Sequence, residues 1–154
     1  MKRVQILGTL AAVLSLSAFS MAQEKAIQRS DLPPAVEKSL QGQLNGATIK
    51  GFTTEKENGK VVYEAQLMVD GHTKDVQFDP SGNLQEVEEE VAMQSLPADV
   101  KAGLMAKAKG GTITKVESLR KKDKLVAYEA QVDTNGKHSE IQVGPNGKAL
   151  RHEE

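Results

Sequence analysis

The chain contains no cysteine. Disulfide bracing, a cysteine nucleophile and a diacylglycerol thioether anchor are therefore all excluded. Tryptophan is absent as well, and only three phenylalanines and two tyrosines occur in 154 residues. The core must be built from aliphatic side chains, and the aromatic anchors common in tight interfaces are scarce. There is no excess of basic charge, since 20 Lys and Arg face 21 Asp and Glu, which disfavours nucleic acid as a partner. Long hydrophobic runs are missing too, except for one at the N-terminus.

That run has the layout of a secretory signal. Met1-Lys2-Arg3 is basic, Val4 to Phe19 is largely apolar, and Ser20-Met21-Ala22 supplies small residues at the cleavage positions. A membrane-spanning helix needs roughly 20 apolar residues, whereas the polar chain begins at Gln23. The expectation is a signal peptide over residues 1–22, cleaved after Ala22, and a soluble periplasmic or secreted mature protein. Without Lys2 and Arg3, 18 bases remain against 21 acids, a net charge near −3.

The mature part repeats itself. At an offset of 64, Leu32-Pro33 matches Leu96-Pro97, Val36 matches Val100, Leu40 matches Leu104, Gly46 matches Gly110, and Thr48-Ile49 matches Thr112-Ile113. After one inserted residue near Val126 and Ala127 the offset becomes 65. Tyr63-Glu64-Ala65-Gln66 then recurs as Tyr128-Glu129-Ala130-Gln131, Pro80 as Pro145 and Gly82 as Gly147. Two copies of such a unit read as twin domains, because solenoids usually need three or more repeats. The expected organisation is an N-terminal linker at 23–29, a first module at 30–90, a linker at 91–94 and a second module at 95–154. The acidic stretch Glu86 to Gln94 is expected to end a strand or form a short connecting helix, with its charges on a solvated face.

Each module reads as a helix followed by strands. Leu32, Val36, Leu40 and Leu44 fall on one helical stripe, with Ser30 or Asp31 as cap and prolines in the first turn. Leu96, Val100, Leu104 and Ala108 repeat the stripe, with Ser95 as cap and Gly110-Gly111 as stop. Period-two alternation follows from Val61 to Val69, bounded by the turn pairs Asn58-Gly59 and Asp70-Gly71, with Asn135-Gly136 in the second copy. Ile49 and Phe52 stand three apart, as do Ile113 and Val116. That misfit to period two predicts a bulge or an early strand start. The expected fold class is α+β: two tandem modules, each an N-terminal helix packed on an antiparallel three- to four-stranded meander.

The Leu-Pro helix start, the Gly-x-x-Ile step into a strand, the Tyr-Glu-Ala strand and the Asp79-Pro80-Ser81-Gly82-Asn83 turn together resemble the PepSY and PepSY-like families, in two tandem copies. The PepSY-like group is likened to the beta-lactamase inhibitory protein, itself a tandem of two such modules. The resemblance implies an extracytoplasmic, non-catalytic role, with the outer sheet faces gripping and restraining a secreted or periplasmic hydrolase. The chain departs from that inhibitor in lacking its disulfides and in having no Trp.

Nothing in the chain reads as catalytic. Nucleophilic chemistry would need His72, His138 or His152 as base, and these fall beside hairpin turns or in the tail, where a pocket is hard to build. His152-Glu153-Glu154 is a local cluster at a terminus expected to fray, so no metal and no cofactor are expected. Arg120-Lys121-Lys122-Asp123-Lys124 reads as a solvated hairpin loop. If Tyr63 and Ala65 face the helix, then Val62, Glu64, Gln66 and Met68 line the open sheet face with Glu129 and Gln131 from the second copy. These six are the candidate partner-binding residues. The alternative is a ligand or cation sensor using the acidic linker and turn carboxylates.

Overall fold

In the computed structural model the described residues are 24–57, 59–152 and 154. The signal segment, Asn58 of the Asn58-Gly59 turn and Glu153 of the terminal cluster lie outside them. One antiparallel sheet of eight strands runs in strict sequence order: β1 (Lys25–Ala26), β2 (Ala47–Glu57), β3 (Lys60–Val69), β4 (His72–Phe78), β5 (Leu84–Glu90), β6 (Thr112–Lys121), β7 (Lys124–Thr134) and β8 (Lys137–Val143). Helix α1 (Pro34–Leu40) precedes β2 and α2 (Ala98–Ala108) precedes β6. The class is α+β, as the periodicities indicated. The sheet is single, however, and not two separate meanders, because β5 pairs with both β4 and β6.

Both helices cover the same kind of surface. Leu32, Val36 and Leu40 pack with Phe52, Ala65, Leu67, Val76 and Phe78, joined by Leu44 and Tyr63. Leu96, Val100 and Leu104 pack with Val116, Ala130 and Val143. Every stripe residue named from the sequence is buried or packed against a core, but the helices are shorter than the stripes. Leu32 and Leu96 precede them, and Leu44 follows a short 3-10 turn at Gln41–Gln43. The caps differ from expectation. Ser30 and Asp31 lie in a 3-10 turn at Arg29–Asp31, Ser95 ends another at Met93–Ser95, and the N-cap positions are Pro33 and Pro97 with no side-chain cap. Proline can stand here because the first helical N–H groups have no intrahelical partner to lose.

Bulges account for the irregular spacings. Ile49 pairs with Leu67 and Gly51 with Gln66, which leaves Lys50 extra. Thr114 is extra in the same way between Ile113 and Lys115. Leu119 pairs with Ala127 and Arg120 with Leu125, leaving Val126 unpaired at the place of the inserted residue. A bulge absorbs one residue without turning the rest of a strand over, so core-facing positions stay in phase on both sides of it. No helix among the described residues is long and apolar enough to cross a membrane.

An acidic trough on the open face of the sheet

The face turned away from the helices carries rows of carboxylates. Alternation along β5 sends Val87 to the core and Glu86, Glu88 and Glu90 to the other side. Across the strands, Gln66 stands opposite Asp75 and Asp75 opposite Glu88. Further along, Glu90 stands opposite Glu117 and Glu117 opposite Glu129. Like charges directly opposite each other on one face are destabilising, and here they recur over three neighbouring strand pairs. A cavity of about 110 Å³ opens on this face, lined by Glu55, Glu57, Glu64, Asp75, Gln77, Glu86 and Glu88.

Only some of this charge is answered from within. Lys115 Nζ lies 2.6 Å from Glu117 Oε1, and Lys121 Nζ lies 3.3 Å from Glu86 Oε2. Glu117 is 3% exposed, and its Oε1, although close to Lys115, receives no hydrogen bond of good geometry. Gln77 Nε2 donates to Glu57 Oε1 at 2.7 Å, Gln142 Nε2 to Glu129 Oε2 at 2.7 Å and Gln66 Nε2 to Glu64 Oε1 at 3.2 Å. One carboxylate oxygen each of Asp75, Glu88 and Glu117 lies within 4.8 Å of the other two.

The proton affinities follow from this crowding. Burial first, then Asp75, pushes Glu64 up to about 7. Burial first, then Glu117, pushes Asp75 up to about 6. Glu88 lies highest, raised by burial and by the Glu129, Glu86 and Glu117 carboxylates. Burial also raises Glu129 and Glu55. At the rim the sign reverses: Glu90 is held low, chiefly by the Thr73 backbone N–H at 3.0 Å.

The six residues chosen from the sequence fall unevenly on this surface. Glu64 lines the cavity, and Gln66 is half-buried beside it. Glu129 faces Glu117, and Gln131 stands opposite Lys115. Met68 is half-buried at the far end of β3 opposite Thr48 and Thr73. Val62 is 6% exposed and belongs to neither core cluster. Strands β3 and β7 are four places apart in the sheet, about 19 Å at the usual strand spacing, so the two chosen rows do not touch. What joins them is Glu86 and Glu88 of the acidic stretch, with Asp75 and Glu117, neither of which stood out in the sequence. The acidic run of 86–90 ends a strand, one of the two alternatives expected of it, but not on a solvated face: β5 is an interior strand whose carboxylates are mostly half-buried. His72 and His138 stand next to hairpin turns with side chains 58% and 83% exposed, where no buried base could be held.

A model of the family described as putative beta-lactamase-inhibitor-like, PepSY-like matches residues 61–151. Three solved structures share the fold. A putative periplasmic protein of Bacteroides eggerthii is 19% identical, with a TM-score of 0.62 over 78% of this chain and 86% of that one. A BLIP-like protein of Bacteroides fragilis is 25% identical, with a TM-score of 0.56 over 76% and 82%. A DUF2874 family protein of Bacteroides uniformis is 19% identical, with a TM-score of 0.60 over 77% and 86%. No curated protein matches the chain.

Proposed function

From the premise that the chain belongs to the PepSY-like, beta-lactamase-inhibitor-like family, we propose that it is an exported, non-catalytic binding module. Its acidic trough docks a protein surface rich in Lys and Arg, and the partner is a secreted or periplasmic hydrolase that it restrains. The observation that carries this reading is the stacking of like charges, Asp75 on Glu88 and Glu117 on both Glu90 and Glu129. A sheet that keeps such rows at a cost in stability holds carboxyls that give up protons as a cation arrives: Glu64, pushed up to about 7, and Glu88, higher still, ionise against an incoming Lys or Arg, and complementary charge then orients the partner. Export rests on the signal at 1–22 and on the periplasmic description of a similar structure.

We also read the chain as two PepSY-like modules, residues 30–90 and 95–154, joined in one sheet where β5 of the first pairs with β6 of the second. Support comes from the strand registers. Lys25 opposite Thr54 and Ala26 opposite Thr53 reappear 64 residues on as Glu89 opposite Ser118 and Glu90 opposite Glu117. Ile27 N donates to Phe52 O at 3.0 Å as Val91 N donates to Val116 O at 2.9 Å. The strand that closes the first unit thus stands beside the second as β1 stands beside the first.

The test is retention from periplasmic extract on the immobilised mature chain, eluted with a salt gradient. A basic hydrolase is expected to be held by wild type, to elute as salt rises and to be lost from a Glu64→Gln, Glu88→Gln double variant. Equal retention by both would remove the trough as the docking surface. A second reading, a divalent-cation sensor, is favoured by the convergence of Asp75, Glu88 and Glu117 within 4.8 Å, with the Lys115 ammonium as the competitor to be displaced. It predicts a thermal midpoint raised by calcium or magnesium in wild type and not in Asp75→Asn. An unchanged midpoint leaves the protein-docking reading alone.

A further inference from the structure

We propose that the outer edge of β8 takes up an extended acidic strand of a partner protein, in the register in which β4 takes up β5. The proposal rests on the two-module reading above. Strands β4 and β8 are both seven residues long and start 65 residues apart, at His72 and Lys137. Each leads into the same turn. Asp79 N donates to Asn83 O at 3.0 Å and Gly82 N to Asp79 O at 2.9 Å, and Gly144 N donates to Lys148 O and Gly147 N to Gly144 O, both at 2.8 Å. After the first turn the chain becomes β5 and pairs back along β4. After the second, no strand among the described residues pairs with the outer side of β8.

The backbone of that edge is set for pairing. Asn135 and Gly136 both have positive φ, 55° and 79°, which is the two-residue turn whose flanking pair, here Thr134 and Lys137, is hydrogen-bonded. Alternation then turns the N–H and C=O of Lys137, Ser139 and Ile141 toward β7, and those of His138 and Glu140 outward. Exposure records the missing neighbour. Thr73, Lys74 and Asp75 are half-buried and Val76 is fully buried, whereas His138, Ser139 and Glu140 are exposed and Ile141 is only half-buried. Glu154 N donates to Gln142 Oε1 at 2.8 Å, so the tail meets the far end of the strand, and the stretch available to a partner is Lys137 to Ile141.

Charge selects the occupant. On β5, Glu90 accepts from Thr73 N at 3.0 Å and lies 3.9 Å from His72 Nδ1. The corresponding places on β8 hold Lys137 and His138, so a carboxylate arriving where Glu90 sits would meet an ammonium and an imidazole. At the place of Val87, which stands opposite Val76, the incoming strand would set an apolar side chain against Ile141. Bare edges invite indiscriminate pairing and are guarded by charge; here Lys137 and His138 favour a carboxylate at the Glu90 place, Glu140 in the place of Asp75 would repeat the like-charge pairing that β5 already bears with β4, and binding is by strand addition.

The probe is a capped, fluorescein-labelled peptide with the sequence of residues 84–91, titrated against the mature chain by anisotropy. Saturable binding is expected, weakened at least tenfold in Glu140→Pro, which removes an outward N–H and no bond to β7, and in Lys137→Glu, which keeps the backbone intact. A photo-crosslinker at the Val87 place is expected to mark Ile141. Crosslinking to any other residue overturns the register and the two-module reading with it. Absence of saturable binding, or equal binding of a scrambled peptide, overturns the edge proposal alone. Concentration-dependent self-association of the chain, lost in Glu140→Pro, would assign the edge to a second copy and overturn the acidic partner.

Discussion

Raising the pH from about 5 to about 9 is expected to lower the thermal midpoint of the mature protein by about 10 °C, the reverse of the usual behaviour of carboxylates engaged in salt bridges. Glu64 and Asp75 are pushed up to about 7 and about 6, and Glu88 higher still, while all three ionise near 4 in an unfolded chain. Between those limits the folded protein binds more protons than the unfolded one, so stability falls as pH rises. Their contribution is fully present below pH ~4 and is lost as each group ionises in the fold. Asp79 and Glu37, held low by Asn83 and Arg29 respectively, act in the opposite sense only at lower pH. A tenfold change in proton affinity between the folded and unfolded chain is worth about 1.4 kcal/mol. Discounted for partial exposure and mutual coupling, the three together are worth on the order of 3 kcal/mol, or about 10 °C for a chain of this size. Calorimetric scans across the range decide it, and a midpoint that is flat or rises toward pH 9 would refute the buried, unanswered charge on which the docking surface depends.

The same physics gives Glu88→Gln a distinctive signature. The amide keeps the size of the side chain and discards the charge that burial, Glu129, Glu86 and Glu117 oppose. The variant is expected to match wild type near pH 5 and to melt roughly 5 °C higher at pH 9. A variant that gains stability while losing its partner separates a docking function from a structural one, since a merely structural Glu88 would lose both together.

The helix stripes and the turns were legible in the sequence, because each rests on local periodicity or on residues that tolerate positive φ. Even the defects were legible. The change of offset from 64 to 65 is Val126, and the three-residue step from Ile49 to Phe52 is the bulge at Lys50. The trough was not, for two reasons. Charge runs usually face water, and whether Glu86-Val87-Glu88-Glu89-Glu90 does so depends on strands on both sides, Asp75 from one and Glu117 from the other. Pairing across β5 also fused what read as two sheets into one, a property of neither stretch by itself. The Glu-x-Glu-x-Glu alternation of 86–90 was the available signal, since period two is a strand pattern even where every outward residue is acidic. Ser30, Asp31 and Ser95 misled as caps because serine and aspartate also favour the short turns in which they are found.

Gly147→Ala is expected to destabilise the protein by about 3 kcal/mol or more, and the comparison with Gly110→Ala shows why. Both glycines have positive φ, 74° and 88°, so each substitution incurs the left-handed penalty of about 1–2 kcal/mol. Around Gly110 there is open space, and its cost should stop there. A Cβ on Gly147 would meet the carbonyl of Asp99 and stand 2.9 Å from Val100 N, inside the first turns of α2, and forced overpacking of a helix backbone adds typically about 1–3 kcal/mol. Gly103, one turn further along, faces Gly147 O in the same contact. The turn after β8 therefore lies on α2 with no room for a side chain on either partner, over the cluster of Val100, Leu104 and Val143. In the first half Gly82 approaches Ala35 and Ser39, where α1 keeps a serine in place of the second glycine. Equilibrium denaturation of the two alanine variants measures the difference directly. Equal losses would mean that the turn can lift from the helix, and with it the end of β8 that sets the register of the open edge.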